Sequence, residues 1–280
     1  MIIIDIDTDT CKRCGHCAQV CPSAVYTQQK GEVPVVRKAE NCIGCGHCVD
    51  VCQADALQHS TFGPGKIHRV RRELFPSPES LMELMKSRRS NRSITDKPIP
   101  AQALADIIEA ANTAPTAENS RQVVVSLLEG EQIQAVEDAT MRFYLRLAKV
   151  LMSKPVRPLT RLLLRDLYNE AAELYRFERK WKQGLRPCTC NARTLLVISA
   201  PGKYDFGWQD CNLAYQNASL MAEAHGVTQI YMGLVQMAFK FMWQKKAERL
   251  LHLPSGHKPF AIMALGMPAF YYTKYTDKTK

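Results

Sequence analysis

Hydrophobic positions follow two different patterns along the chain. Up to about residue 60 they form only short runs, such as Val33–Val36 after the polar turn at Lys30 and Gly31, and these runs predict small strands. From residue 78 onward they recur at helical spacing or form runs of four to eight residues, which predict helices and buried strands. The chain is therefore predicted to be α+β, with a small first module and a larger second domain.

The second part of the chain predicts individual elements. Ser77 is the expected N-cap of a helix that begins at Pro78 and presents Leu81, Leu84 and Met85 on one side. Further helices are predicted from about Ala101, over Trp208–His225 and over Leu234–Leu250, and strands over Val123–Leu128, Thr194–Ser199 and Pro259–Leu265. The apolar face of the helix that ends at His225 is predicted to comprise Leu213, Leu220, Met221 and Ala224.

A change of composition separates the two parts. Residues 61–77 contain Gly63-Pro64-Gly65, then a basic group, then Pro76 and Ser77, and this composition predicts a linker. We therefore expect a first module over residues 1–60 and a second domain over residues 78–280. The first module is too small for a conventional core, so bound metal is expected to hold it together.

Eight cysteines before residue 60 repeat one spacing, C-x2-C-x2-C-x3-C. The first copy comprises Cys11, Cys14, Cys17 and Cys21, and the second comprises Cys42, Cys45, Cys48 and Cys52. Three thiolates spaced in this way wrap one iron–sulfur cluster, and the fourth points away to complete the other cluster. The stretch resembles a bacterial ferredoxin with two [4Fe–4S] clusters, so all eight cysteines are predicted ligands. Cys21 is expected to complete the cluster of the second copy, and Cys52 that of the first.

Two other uses of these cysteines remain open at this stage. A disulfide framework needs an oxidising compartment, whereas Met1–Asp5 shows neither the basic segment nor the cleavage site of a secretory signal. Structural zinc usually takes two separate pairs of cysteines, whereas each copy here supplies three and a displaced fourth. Gln53 stands where the first copy has Pro22, which affects the turn and leaves the ligand set intact. The cluster interpretation is favoured.

Composition narrows the class of protein. Hydrophobic residues make up 46% of the 280 residues, yet no apolar run approaches the ~18 residues that cross a bilayer. Eleven cysteines without an export signal favour a reducing, cytoplasmic location. The net charge of +10 either attracts anionic partners or only aids solubility, and no nucleic-acid partner is predicted.

The segment Ser87–Ser93 carries several donors and almost nothing apolar. In an extended conformation Arg88, Ser90 and Arg92 project to one side, because side chains alternate with a period of two. Two guanidinium groups and a hydroxyl on one side suit a phosphate, through bidentate charged hydrogen bonds. A solvated basic turn is the alternative.

Three motifs in order resemble the nitroreductase family. They are S-R-R-S-x-R from residue 87, A-P-T-x-x-N-S from residue 114, and G-x4-aromatic-x-G from residue 226. Members of that family bind FMN and are commonly homodimers with the cofactor at the subunit interface. On this resemblance the expected FMN-binding residues are Arg88, Arg89, Ser90, Arg92, Pro115, Thr116, Asn119, Tyr231, Met232, Gly233 and Lys274. The family runs toward Gln-Pro after the asparagine, whereas Arg121 and Gln122 intervene here.

Several other features have structural and functional interpretations. Residues 141–187 are predicted to be helical and basic, and internal packing, docking of an acidic electron carrier and membrane contact are the alternatives. That segment contains Arg157, Arg161 and Arg165 beside Leu159, Leu163 and Leu167. His16 and His47 are predicted to be turn residues, Asn217 a core amide, and Cys188, Cys190 and Cys211 structural or loop cysteines.

The resemblance implies a central sheet wrapped by helices, preceded by the two-cluster module. The predicted activity is an electron relay, in which a reduced carrier such as ferredoxin or flavodoxin supplies the clusters, these reduce FMN, and FMN reduces a small organic substrate. In one alternative NAD(P)H reduces FMN and the clusters export electrons, and in another the protein is a non-catalytic carrier or redox sensor. No G-x-G-x-x-G occurs, so a Rossmann nicotinamide site is not predicted, and no catalytic residue is assigned.

Overall fold

A computed structural model describes residues 2–163 and 165–277, without the side chains of residues 159, 160, 163 and 165–173. The described residues form two compact units. The first comprises the chain up to Phe75 together with the short segment Ala117–Ser120, and the second comprises Pro76–Thr116 and the chain from Arg121 onward. No described helix is long and apolar enough to span a membrane.

The first unit contains two small antiparallel ladders and two short helices. Strand β1 (Ile4–Ile6) pairs with β4 (Leu57–His59), and β2 (Tyr26–Thr27) pairs with β3 (Val35–Val36). The helices α1 (His16–Val20) and α2 (His47–Asp50) each begin just before the third cysteine of a triplet, and short 3-10 turns occupy Ala39–Asn41, Pro64–Lys66 and Arg72–Leu74. Among its described residues, one small cluster of buried hydrophobic side chains forms the core, namely Val25, Tyr26, Cys48, Val49 and Leu57.

The second unit is built from helices around one sheet. Its elements are α3 (Pro78–Ser87), α4 (Ala101–Asn112), β5 (Val124–Glu129), α5 (Glu131–Leu151), α6 (Arg157–Leu163), α7 (Arg165–Lys182), β6 (Thr194–Pro201), α8 (Gly207–Ala224), β7 (Thr228–Tyr231), α9 (Gly233–Phe241), α10 (Gln244–Leu251) and β8 (His257–Gly266). The strand order is β5-β6-β8-β7 and every pairing is antiparallel.

The sheet is covered on both faces. Leu195 and Val197 of β6 face a core with α5, α9 and α10, whereas Leu196 and Ile198 face a second core with α4 and α8. Neighbouring strand residues point to opposite faces, so a strand covered on both sides reads as a continuous apolar run. This explains why the run from Thr194 predicted a strand without any alternation of polar residues.

Three local predictions differ from the structure. The buried face of α8 contains Ala214, Ala218 and Ala222, and Leu213 lies 46% exposed, because small residues let this helix pack closely against its neighbours. The helix predicted over residues 234–250 is divided at Met242, whose extended backbone ends α9. No residue of α3 is buried, although Ser77 caps it as predicted by accepting a hydrogen bond from the Ser80 N–H at 3.1 Å.

Candidate functional site

Two cavities in the first unit are each lined by four of the predicted ligand cysteines. The first, of about 110 Å³, is lined by Cys11, Cys14, Cys17 and Cys52. The second, of about 10 Å³, is lined by Cys42, Cys45, Cys48 and Cys21. Each triplet therefore shares its cavity with the fourth cysteine of the other copy, which is the exchange expected from the spacing.

Glycines before the two helices position the third cysteine of each triplet. Gly15 (φ 79°) and Gly46 (φ 83°) adopt left-handed backbone conformations, which glycine takes at no steric cost. The chain can then turn straight into α1 and α2, so that Cys17 and Cys48 lie in the first helical turn. His16 and His47, the first residues of these helices, are exposed.

Backbone groups around the cavities point at the cysteine sulfur atoms. The Arg13 N–H donates to Cys11 Sγ at 3.4 Å, and the Gly44 N–H donates to Cys42 Sγ at 3.5 Å, so the two copies match. Such donors stabilise thiolate ligands. Burial raises the pKa of the Cys17 and Cys48 thiols, so metal binding has to displace a proton there. Each cavity is thus lined by four thiols with a backbone N–H donor to one of them, and this donor chemistry suits the ligands of an iron–sulfur cluster.

The segment Ala117–Ser120 belongs to the first unit and carries the predicted flavin residue Asn119. The Asn119 side-chain N–H groups donate to the carbonyls of Ile43 and Gly44, at 3.0 and 2.9 Å. These carbonyls lie in the loop between Cys42 and Cys45. The structure therefore places Asn119 at the loop of the second cysteine motif, and its contact with a flavin stays a prediction.

The segment Arg88–Arg92 is held in place through Asn91, a buried residue that sequence reasoning did not select. Its side-chain amide donates to the Phe270 carbonyl at 2.7 Å, and its own carbonyl accepts from the Thr228 hydroxyl at 3.0 Å. Its Oδ1 accepts from the Ser93 N–H at 3.0 Å, a local turn bond typical of asparagine. The available signal was an asparagine two residues before a serine within a polar run.

The extended alternation predicted for this segment is interrupted. The Asn91 N–H donates to the Arg89 carbonyl at 3.1 Å, so the backbone turns between the two outer arginines. Arg88 lies near Glu223, where burial raises the carboxyl pKa and the Arg88 charge partly offsets that increase. Arg92 lies near Cys190, where burial raises the thiol pKa and the Arg92 charge again opposes it.

The arginines of this segment keep their charge available. Within the part of the chain that the structure describes, no carboxylate oxygen lies within 4.0 Å of the side-chain nitrogens of Arg88, Arg89 or Arg92. Arg88, Arg89 and Ser90 are half-buried, and Arg92 is exposed. Three guanidinium groups in five residues, with Glu223 the one described carboxylate found to interact with Arg88 and no close ion pair to it, fit the binding of a phosphate.

The third motif crosses from β7 into α9. The Tyr231 hydroxyl lies 3.3 Å from Asn212 Oδ1 and 3.2 Å from the Phe260 carbonyl, and its ring meets that of Tyr215 edge-on at 4.8 Å. Met232 is buried, and its N–H donates to the Ile262 carbonyl at 2.9 Å. Gly233 is the first residue of α9. The Tyr231 hydroxyl is thus directed at protein groups, and the expected flavin contact of these residues stays a prediction.

The remaining predicted residues lie in loops and in the tail. The Thr116 hydroxyl accepts a hydrogen bond from the Arg121 N–H at 3.0 Å, and Pro115 is exposed. Lys274 is exposed in the C-terminal tail, and Lys278 lies outside the described residues. Asn217 is half-buried, and its amide donates to the Thr113 hydroxyl at 3.3 Å.

The last predicted features are the three cysteines outside the first unit and, separately, the basic helical segment. Cys188 and Cys211 are buried and Cys190 is half-buried. The buried Glu137 carboxylate fixes the Cys188 loop, since it accepts from the N–H groups of Cys188 and Thr189 at 2.9 and 2.8 Å. In the basic segment, Arg157 and Arg161 are exposed, whereas the side chains of Leu159, Leu163, Arg165 and Leu167 lie outside the described residues.

Comparison with known proteins agrees with this architecture. Residues 85–267 match the nitroreductase family, and residues 3–53 match the 4Fe-4S dicluster domain. A nitroreductase with bound FMN from Bacteroides fragilis is similar in structure, with a TM-score of 0.54 and 20% identity over 71% of this chain and 94% of that one. An FMN-bound nitroreductase from Desulfitobacterium hafniense has a TM-score of 0.53 and 20% sequence identity, again over 71% of this chain and 94% of that one. No curated protein matches the sequence.

The larger unit therefore has the α+β fold of a nitroreductase, and a 4Fe-4S dicluster domain precedes it. The family model spans well over half of the chain, so the chain belongs to the nitroreductase family and is an oxidoreductase of that family with a 4Fe-4S domain. The family and fold expected from the sequence motifs are confirmed.

Proposed function

We propose that the protein is an FMN-dependent oxidoreductase that relays electrons from a reduced carrier through two [4Fe–4S] clusters to FMN and on to a small organic substrate. The observation that carries this proposal is that one chain joins two four-cysteine cavities to a nitroreductase-family domain. In this scheme residues 1–60 transfer electrons, residues 61–77 link, and residues 78–280 hold the flavin.

The donor set around Arg88 supports FMN. Both similar solved nitroreductases hold FMN, whose phosphate is an anion suited to guanidinium groups. Arg88, Ser90 and Arg92, with Arg89 beside them, bind and orient that phosphate, and Asn91 keeps their backbone in place. A lysine from the tail, Lys274, is the candidate for a further phosphate contact.

The roles of the remaining flavin residues follow from the same assignment. Main-chain groups near Met232 and Gly233 line the flavin ring, and Pro115, Thr116, Asn119 and Tyr231 complete the predicted site. FMN, when bound, accepts electrons one at a time and can deliver two together, which matches one-electron clusters to a two-electron substrate. The protein's residues bind the cofactor, orient it and limit the access of competing oxidants.

An exposed apolar stripe supports a homodimer. Leu234, Met237 and Phe241 lie on one side of α9 and are 42%, 44% and 66% exposed, and Trp243 beyond the helix is 77% exposed. Such a contiguous apolar surface marks an interaction site in a folded protein. Because nitroreductases are typically dimeric, a second copy of this chain is the proposed occupant.

The proposed donor is a reduced ferredoxin or flavodoxin in the cytoplasm, where cysteines stay reduced. Donation by NAD(P)H with export of electrons through the clusters is the second candidate. A non-catalytic electron carrier or sensor is the third.

Anaerobic stopped-flow spectroscopy on reconstituted protein separates these three candidates. Iron analysis should first give about eight iron atoms per chain. Mixing with reduced ferredoxin should bleach the cluster absorption before the flavin absorption, and an oxidised nitroaromatic probe should then reoxidise the flavin. If NAD(P)H bleaches the flavin rapidly and reduced ferredoxin does not, the direction of flow is the reverse. If the probe and other oxidised organic compounds leave the flavin reduced, the enzymatic proposal fails.

A further inference from the structure

The surroundings of the two cluster cavities differ at equivalent positions of the repeat. Five residues after the fourth cysteine, the first copy has Tyr26 and the second has Leu57. Because the fourth cysteines are exchanged, Tyr26 lines the second cavity and Leu57 lines the first. Seven residues after the fourth cysteine, the pair is Gln28 and His59. The repeat thus places two polar rings at one cavity, and each has a matched partner in the other copy.

His59 is held as a hydrogen-bond donor to a cluster ligand. Its Nε2 lies 3.4 Å from Cys42 Sγ, and its Nδ1 accepts a hydrogen bond from the Thr61 N–H at 3.2 Å. A ring nitrogen that accepts cannot carry the proton, so the proton is on Nε2 and points at the sulfur. The ring is 5% exposed and packs against Phe62 with their centres 5.0 Å apart, which fixes this orientation.

Gln28, the counterpart of His59, has its donors engaged elsewhere. Its amide nitrogen donates to the carbonyl groups of Arg13 and Glu32, at 3.1 and 2.6 Å. An amide nitrogen has two hydrogens, and both are therefore directed at main-chain oxygens. The first cavity receives no comparable donor from this position.

Tyr26 brings a buried hydroxyl to the second cavity. The residue is 7% exposed, and its Oη has no nitrogen or oxygen partner among the described residues, the Cys48 thiol being the polar group it interacts with. A thiol sulfur is a weak acceptor, so a buried hydroxyl whose one polar neighbour is a thiol is poorly satisfied and calls for an explanation. The sulfur atoms of a cluster held by the cysteines of that cavity, which include Cys48 and Cys21, supply an acceptor for it.

We propose that Tyr26 and His59 donate hydrogen bonds to the sulfur atoms of the second cluster and raise its reduction potential above that of the first. One electron entering a [4Fe–4S] cluster makes it more negative by one charge, and no bond is broken. Hydrogen bonds to sulfur stabilise that added charge, and they are among the factors that set the potential of such clusters. The inference rests on the clusters alone, and not on FMN or on the identity of the donor.

Two opposing effects are weaker. Cys45 and Cys48 are less exposed than their counterparts Cys14 and Cys17, and burial disfavours the more negative reduced cluster. This difference changes exposure by one step at two of the four ligands, whereas His59 lies directly beside Cys42 Sγ and the Tyr26 ring lines the same cavity. Lys12 lines the first cavity, but it is exposed and its charge is screened by water. The second cluster is therefore where an electron comes to rest within the module.

The test uses the reconstituted full chain and an anaerobic potentiometric titration followed by EPR. The wild-type protein should show two reduction steps. Tyr26→Phe removes one oxygen, and His59→Leu removes the imidazole donor. Each variant should lower the reduction potential of the more positive step by about 59 mV, which is a tenfold change in the equilibrium constant of a one-electron couple. The more negative step should stay in place in both variants.

Gln28→Leu is the matched control, because it alters the equivalent position of the other copy and should leave the more positive step unchanged. Iron analysis of the wild type and of each variant should give about eight iron atoms. Fewer in the wild type would contradict the proposed function, whereas fewer in one variant alone would show that its clusters are lost and would leave the test to the other variant. His59→Leu also removes the acceptor of the Thr61 N–H and could misfold for that reason. In that case Tyr26→Phe alone decides the test. The proposal is overturned if Tyr26→Phe moves neither step, if it moves the more negative step, or if Gln28→Leu lowers the positive step equally.

Discussion

At the scale of single residues, the guanidinium groups of Arg88 and Arg92 are the part of the flavin site that can be tested most directly. They have no ion-pair partner within 4.0 Å among the described residues, while Asn91 between them is buried and fixed by hydrogen bonds to Phe270 and Thr228. The backbone is therefore pre-arranged, and the charges are left for a ligand. The separation of these two tasks between neighbouring residues could not be predicted from composition.

Replacing either arginine with alanine should weaken FMN binding. A hydrogen bond to a charged group contributes about 1.5–3 kcal/mol, so each variant should bind FMN about 10- to 150-fold more weakly. Fluorescence titration of the apoprotein with FMN measures this directly. Arg249→Ala, an exposed arginine of α10, should bind as the wild type does. Wild-type affinity in an Arg88→Ala, Arg92→Ala double variant would remove the phosphate role.

At the scale of elements, the arginine segment is attached to the end of β8. The N–H of Thr95 donates to the Met267 carbonyl at 2.8 Å, the N–H of Ala269 donates to the Ser93 carbonyl at 2.9 Å, and Ile94 forms a bridge with Pro268. Gly266 permits this approach, because a Cβ atom there would collide with the Ile94 side chain. The glycine is thus required by the contact between two elements and not by its own backbone angles.

Gly266→Ala should disturb both stability and cofactor binding. Forcing one carbon into a packed contact costs about 1–3 kcal/mol, and the shift of Ile94 should displace the adjacent arginines, so the melting temperature and the FMN affinity should fall together. Adding Ile94→Ala removes the colliding atoms, and the double variant should be more stable than the sum of the single effects by about 0.5 kcal/mol or more. Gly65→Ala, where nothing lies within 4 Å, is the control. Strict additivity in chemical denaturation would show that the contact carries no strain.

At the scale of the whole molecule, the two units have different sources of stability. The core of the first unit, as far as the structure describes it, is one small hydrophobic cluster, so its iron–sulfur clusters contribute to its folding. The second has two extensive cores on the two faces of its sheet. Loss of metal should therefore affect the first unit far more than the second.

A variant with Cys11, Cys14 and Cys17 changed to serine should lose turnover driven by reduced ferredoxin and keep its FMN. Dithionite-reduced FMN in that variant should still reduce an oxidised nitroaromatic probe at near the wild-type rate, which serves as the internal control. Flavin content by absorbance and steady-state rates with each donor are the measurements. The relay is contradicted if ferredoxin reduces FMN at the wild-type rate without intact clusters.

The sequence by itself determined the chemistry-bearing features and the order of most elements. The spacing of eight cysteines is a local property, since each triplet lies within seven residues, so it predicted the metal-binding module without tertiary information. The run from Thr194 predicted a strand and Ser77 predicted a helix start for the same local reason. Three short motifs in order were enough to indicate the nitroreductase family, which the family comparison confirmed.

Only the tertiary structure decided which side chains meet. The side of α8 that is buried depends on the close approach of its neighbours, so its alanines are inside and Leu213 is outside, contrary to the apolar pattern. The turn at Asn91 depends on carbonyl and hydroxyl groups more than 130 residues away in sequence, at Phe270 and Thr228. His59 Nε2 lies 3.4 Å from Cys42 Sγ, a residue 17 positions away in sequence, and only the folded chain brings this pair together.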